Sequence, residues 1–237
     1  MRLFIIDESE VDLTFHAGLG LIGVALNERA DMALEAEAVS PLRNDAMPHA
    51  SMLCSYVALL SLVNGDFEAI TGLREDAYIA EALGPEQIPS VGIRRQCMDA
   101  YALDYMRIVE DAVIAFLCRS DARFTPLDNC LMPLDWDVAP LGNSHSKMEG
   151  GSRNYKGEDG HALMDAHLGR EGYCLDMVLR AGSRHCQKGA TELLQCVLEC
   201  ARQLTGASAR LRLDSSMACL SRMPRHGNAP SAEVSAM

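Results

Sequence analysis

The sequence predicts a two-part α/β protein. A helical N-terminal half is followed by a strand, a hairpin of two strands, a helix and a further strand. Three observations predict it. Apolar residues in 14–124 recur at helical spacing almost throughout. From about Leu131 the spacing changes to the alternation of half-buried strands. The charge divides at nearly the same place: residues 1–133 hold 9 Lys+Arg against 21 Asp+Glu, a net −12, and residues 134–237 hold 12 against 12.

The helical elements follow from their start and stop signals. Phe15–Leu26 reads as a Gly-containing apolar helix, and 31–49 as an acidic, Pro- and Asn-containing loop or short helix. Ser51 is placed to cap a helix running to Val63, which Asn64-Gly65 stops. Asp66 can cap Phe67–Leu73, and Glu75–Leu83 follows. Gly84-Pro85 and Pro89 break the chain, and Ser90 can cap a long helix over Val91–Cys118. An acidic helical bundle is the plain reading of this half. The sharper one is a DNA-binding helix pair, with Arg94, Arg95 and Gln96 near a helix start as groove contacts.

The second half begins with Leu131–Val138, which alternates and carries the only tryptophan, Trp136. A polar stretch, Gly142–Asp159, leads to two strand-like runs, His161–Leu168 and Tyr173–Leu179, joined by the turn Gly169-Arg170-Glu171-Gly172. Gln187–Leu204 is an amphipathic helix with Leu193, Leu194, Val197, Leu198, Ala201 and Leu204 on one face, ended by Gly206. Arg210–Asp214 is the last strand. The connection from the third strand through the helix is a crossover, which sets the fourth strand parallel. A βββαβ order of this kind is the start of a ribonuclease-H-like domain, whose remaining elements are not found here.

Composition excludes some classes. The chain has 237 residues, 49% hydrophobic and 23% charged, which is globular and not disordered. MRLFIIDESEVD lacks the basic-then-apolar pattern of a secretory signal, and the longest near-apolar run, Met52–Val63, is too short to span a bilayer. Nine cysteines, odd in number and without a CxxC pair, suit reduced thiols and a cytoplasmic protein, with no membrane partner. His185, Cys186, Cys196 and Cys200 could be metal ligands, but Cys196 and Cys200 fall in an apolar helical pattern.

Chemistry concentrates on Asp135-Trp136-Asp137. Alternation puts both carboxylates on one face of a strand, where they repel unless a cation, proton or solvent lies between them. A divalent ion with phosphate oxygens is one answer. An exposed strand with solvated Asp residues is the other. Asp214, ending the last apolar strand, converges on the pair if that strand lies beside the first.

The stretch LDWDVAPLGNSHSKMEGGSRNYKGEDGHALMDAHLGREGYCLDMVLRAGSRHCQKG, followed by RLRLDSS, resembles the DDE transposases of bacterial insertion sequences. SYVALLSLVNGDFEAITGLRED and the IPS…RRQ segment resemble that group's N-terminal region, so the likeness covers roughly 14–216. The resemblance implies DNA transposition: metal-dependent cleavage and strand transfer at insertion-sequence ends. It implies Asp137 and Asp214 as catalytic aspartates binding Mg2+ or Mn2+, with Asp135 an additional metal ligand. It implies a partner in the element's terminal repeats and a transposase homo-oligomer. Lys147, Arg153, Lys156, Arg180 and Lys188 match or adjoin basic positions of the family pattern and would contact the DNA backbone, alongside Arg94 and Arg95.

The departures shape the expectation. The family's third catalytic residue is a glutamate well beyond the second aspartate. After Asp214 the sole acid is Glu233, within APSAEVSAM, which has no helical stripe. Residues 1–130 are therefore expected as a helical, DNA-binding region, 131–216 as a partial catalytic domain, and 217–237 as a divergent tail without structure. The chain is expected to be a catalytically inactive N-terminal fragment. The alternative is a non-catalytic DNA-binding or regulatory fragment that occupies element ends or inhibits the full-length transposase. Asp165 stands where an apolar strand residue is usual, and would be costly if buried.

Overall fold

The computed structural model describes residues 14–32, 36, 38–39, 47–84, 87–145, 148–154, 156–185, 188–213 and the backbone of 233–236. It is a mixed α/β structure with a helical region and a mixed sheet. The chain divides into two compact units, Met1–Ala112 and Val113–Met237. The division falls inside a long helix and not at residue 130, where the composition shifts. Ile114 and Leu117, in the last turns of that helix, join the core of the sheet.

The described helices of the first unit are α1 (Leu19–Val24, continued by a π turn Ala25–Arg29), α2 (His49–Ser61), α3 (Ile70–Arg74), α4 (Ala77–Leu83) and α5 (Val91–Arg119), which runs on into the second unit. Their boundaries follow the caps. The Asp66 carboxylate accepts from Glu68 N at the 3-10 turn leading into α3. Asp76 does the same for Tyr78 N at α4, and Gly84 ends α4 at φ +83°. Ser90 Oγ accepts from Ile93 N at the start of α5 (3.3 Å). Ser51 does not cap α2, which starts two residues earlier, after Pro48. Proline's fixed φ and missing N–H suit a helix start without a side-chain cap. α5 leaves helical geometry at Tyr101 (φ −121°, ψ 20°).

Two apolar clusters hold this unit. One joins Leu19, Leu59, Ile70, Leu73, Ile79 and Leu83; the other joins Leu26, Met52, Leu53, Cys97, Tyr105 and Ile108. Gly23 permits the first: a Cβ there would stand 1.7 Å from the Ala82 carbonyl oxygen.

The second unit is built on β1 (Met132–Gly142), β2 (Ser152–Arg153), β3 (Asp159–Leu168), β4 (Tyr173–Ala181), α6 (Ala190–Leu204), β5 (Ala209–Leu213) and β6 (Glu233–Ala236). β1 is central. It pairs antiparallel with β3 and parallel with β5, while β3 also takes β2 and β4 antiparallel. β6 adds to β5 in parallel, a correction for 233–236, which the sequence reading left without structure. A Val-containing segment laid on a strand edge satisfies backbone groups that the edge would otherwise expose.

The amphipathic reading of α6 decides which face of the sheet is core. Leu194, Val197 and Ala201 of α6 are buried with Met132, Leu134, Trp136, Met164, Ala166, Leu168, Leu211 and Leu213. Alternation therefore turns Asp135 and Asp137 to the other face. β4 carries one extra residue: Cys174 pairs with His167 and Asp176 with Ala166, leaving Leu175 as a bulge.

Candidate functional site

The sheet face opposite the α6 core collects the sequence's chemistry in two rows. The first row, read across the strands, is Arg212 (β5), Asp135 (β1), His167 (β3) and Cys174 (β4). The second is Asp137 (β1), Asp165 (β3) and Met177 (β4). β5 is described to Leu213, opposite Trp136, and Asp214 lies outside the described residues.

In the first row Asp135 is already engaged. The Arg212 guanidinium donates to both of its carboxylate oxygens, through Nε and one terminal nitrogen, and both side chains are about a third exposed. This two-point fork is the geometry in which Arg binds a carboxylate most firmly. It holds the Arg212 pKa above its ordinary value. Each oxygen of Asp135 thus accepts one hydrogen bond from Arg212.

The second row has no such cation. Asp137 is exposed, and its Oδ1 accepts from the N–H of Val138 (2.7 Å). Asp165 is its ladder partner, with a side chain only 17% exposed. Burial raises the Asp165 pKa; nearby His167 opposes this, and Asp137 adds to the rise. His167 Nδ1 lies 3.8 Å from Asp165 Oδ1. The cost anticipated for a buried Asp165 is thus visible as a proton held too tightly. Burial and then Asp165 also push up the Cys174 thiol. Among the described residues, no group of three or more His, Cys, Asp or Glu side chains is placed to hold a metal ion.

The basic candidates separate into buried and exposed. Arg94 is 0% exposed: it donates to the Phe67 carbonyl (2.6 Å) and stacks over the Phe67 and Tyr56 rings at 4.3 and 5.4 Å. Burial lowers its pKa from the ordinary value. The Arg94 guanidinium is thus held inside the helical unit, whereas the expectation from the sequence is a groove contact. Arg95, one residue on, faces solvent and pairs with Glu68 (2.8 Å). Arg180 is likewise buried: it is 5% exposed on β4, and its Nη1 donates to the Lys188 carbonyl (2.9 Å), tying down the turn before α6.

Arg153, Lys156 and Lys188 are exposed. Arg153 lies on β2, Lys156 in the turn before β3, and Lys188 in the turn after β4, so all three belong to one end of the sheet. Arg153 stands 3.6 Å from Asp159. Lys147 lies outside the described residues, as does Cys186, one of the four residues considered as metal ligands.

No protein-family model matches the chain, and no curated protein matches it significantly. Among solved structures it is similar to the piggyBac transposase, determined by cryo-EM as a synaptic complex with hairpin DNA. The TM-score is 0.35 and the identity 12%, over 94% of this chain. The chain spans 48% of the length of that one. A likeness this weak establishes neither fold nor function. No helix among the described residues is long and apolar enough to cross a membrane.

Three residues of the carboxylate face were not singled out as site residues from the sequence: Arg212, Asp165 and His167. A signal existed for two of them. Asp165 and His167 alternate on a hairpin strand as Asp135 and Asp137 do on theirs.

Proposed function

We propose that this chain is a transposase-type protein that acts on DNA, with the sheet of β1, β3, β4 and β5 as a ribonuclease-H-like scaffold for strand cleavage and transfer. One observation carries the reading. β1, bearing Asp137, lies beside β5 in parallel, and the ladder runs to Trp136 opposite Leu213, one residue short of Asp214. Asp137, and Asp214 just beyond the described part of β5 in sequence, are the two positions that match the catalytic aspartates of insertion-sequence transposases. The strand order β4-β3-β1-β5-β6 and the ordered sequence motifs support the same reading.

In this reading Arg153, Lys156 and Lys188 hold the DNA backbone at one end of the sheet, with Lys147 beside them in sequence and Arg95 on the helical unit. Arg180 acts through its hold on the Lys188 carbonyl. Mg2+ or Mn2+ is the cofactor the reading expects, and Asp137 is the described β1 carboxylate open to it. The DNA would be an element's terminal repeats, bound by a homo-oligomer.

Binding without cleavage is the second reading, favoured by the Asp135–Arg212 pair, which removes one carboxylate from the acidic strand. A single experiment separates them. The purified chain is titrated with duplex DNA at low salt, and the products are then examined for nicking with Mn2+. Nicking lost in Asp137→Ala supports the first reading, and binding without nicking supports the second. No DNA binding at any salt concentration rejects both.

A further inference from the structure

We propose that Arg212 is a built-in counter-cation that takes Asp135 out of the metal-ligand set, leaving Asp137 as the one β1 carboxylate open to a divalent ion. This rests on the reading of the sheet's carboxylate face given under Proposed function.

Two carboxylates two residues apart on one strand need their charge balanced. The ladder shows how this is done for one of them. Register places Arg212 directly opposite Asp135, and the guanidinium uses two donors on the two oxygens. Arg does not lose its proton at accessible pH, so the balance is permanent. A divalent ion at Asp135 would have to displace the fork and then sit beside a fixed positive charge, which weakens binding at such short range. His167 stands on the other side of Asp135 in the same row. Among the described residues no ion pair forms at Asp137, whose cross-strand neighbour is the carboxyl of Asp165. The two aspartates of the DWD sequence are therefore unequal: Asp135 ties β1 to β5, and Asp137 is held open.

The test uses the full chain with Mn2+ alone, the free ion being counted by electron paramagnetic resonance. Asp135→Asn is expected to weaken Mn2+ binding by less than Asp137→Asn does, because Asp135 is not a ligand and its loss acts only by leaving the Arg212 charge uncompensated. Arg212→Gln is expected to raise the affinity about tenfold, the gain expected when a charge neighbouring a carboxylate is removed. In the double variant Asp135→Asn/Arg212→Gln that gain disappears. Arg212→Lys keeps the charge without the fork and gives a smaller gain. Two results overturn the proposal: Asp135→Asn weakening Mn2+ binding as much as Asp137→Asn, or Arg212→Gln leaving it unchanged. If Arg212→Gln does not fold, Asp135→Asn against Asp137→Asn still decides. DNA binding is measured on the same samples. Loss of the DNA result with the Mn2+ pattern intact sinks only the functional reading, and the reverse sinks only this one.

Discussion

Asp137 on β1 and Asp165 on β3 face each other across an antiparallel ladder, on the side of the sheet away from α6. Asp165 is the more buried, and its carboxyl keeps its proton to a higher pH than the ordinary 3.8. The folded state thus binds that proton more tightly than the unfolded chain does. Its contribution to stability is full below the ordinary value and is lost as pH rises through the raised native value. Asp165→Asn is expected to match wild type near about pH 4 and to exceed it by about 1 kcal/mol at about pH 7. Urea unfolding at the two pH values checks this, and an equal difference at both would show that the buried charge is not the cause.

Adjacent arginines should behave oppositely. Arg94→Ala removes a buried cation packed on Phe67 and Tyr56 and leaves the Phe67 carbonyl without its donor. A loss of about 2–4 kcal/mol is expected, against about 0.5 kcal/mol or less for the exposed Arg95→Ala. If DNA affinity falls in either well-folded variant, it falls in Arg95→Ala. Equal stabilities would refute the burial assignment.

The exposed basic residues at the sheet end should reveal themselves through salt. Each of Arg153→Gln, Lys156→Gln and Lys188→Gln should lower the slope of log affinity against log salt by about one. Arg180→Gln should instead lower thermal stability, since its Nη1 serves the Lys188 carbonyl and not solvent. Fluorescence anisotropy of labelled duplex DNA over a salt series provides the slopes.

Trp136 reports on the α6 core. It is the only tryptophan and is 2% exposed, so its emission should be blue-shifted in the folded chain and move red on unfolding. Leu194→Ala opens a cavity in the cluster that contains Trp136 and should cost about 2–5 kcal/mol. Emission that is already solvent-like in the native chain would contradict the packing described.

Local rules carried most of the elements. Caps at Asp66, Ser90 and Gly84 fixed helix ends within a few residues, and the stripe of α6 identified the core face. β1 runs to Gly142, past the expected end at Val138, although Pro140 lies within it. Among the described residues the β5 ladder runs to Trp136 and Pro140 pairs only with Ala162 of β3, where a missing N–H is tolerated on the other edge. The site was less legible because it depends on register between distant segments. Asp135 meets Arg212 at a separation of 77 residues, and Arg94 meets Phe67 at 27. No window of sequence contains either pair.

The extra residue in β4 sorts charge as well as bending the strand. Were Leu175 not bulged but paired with Ala166, in step from the turn, Asp176 would pair with Asp165. Three acids would then lie abreast: Asp137, Asp165 and Asp176. The insertion instead sets uncharged Met177 there and moves Asp176 to the buried side, at the expense of a raised carboxyl pKa. One residue of added length thus works as a spacer that stops a third negative charge from joining a pair that already repels.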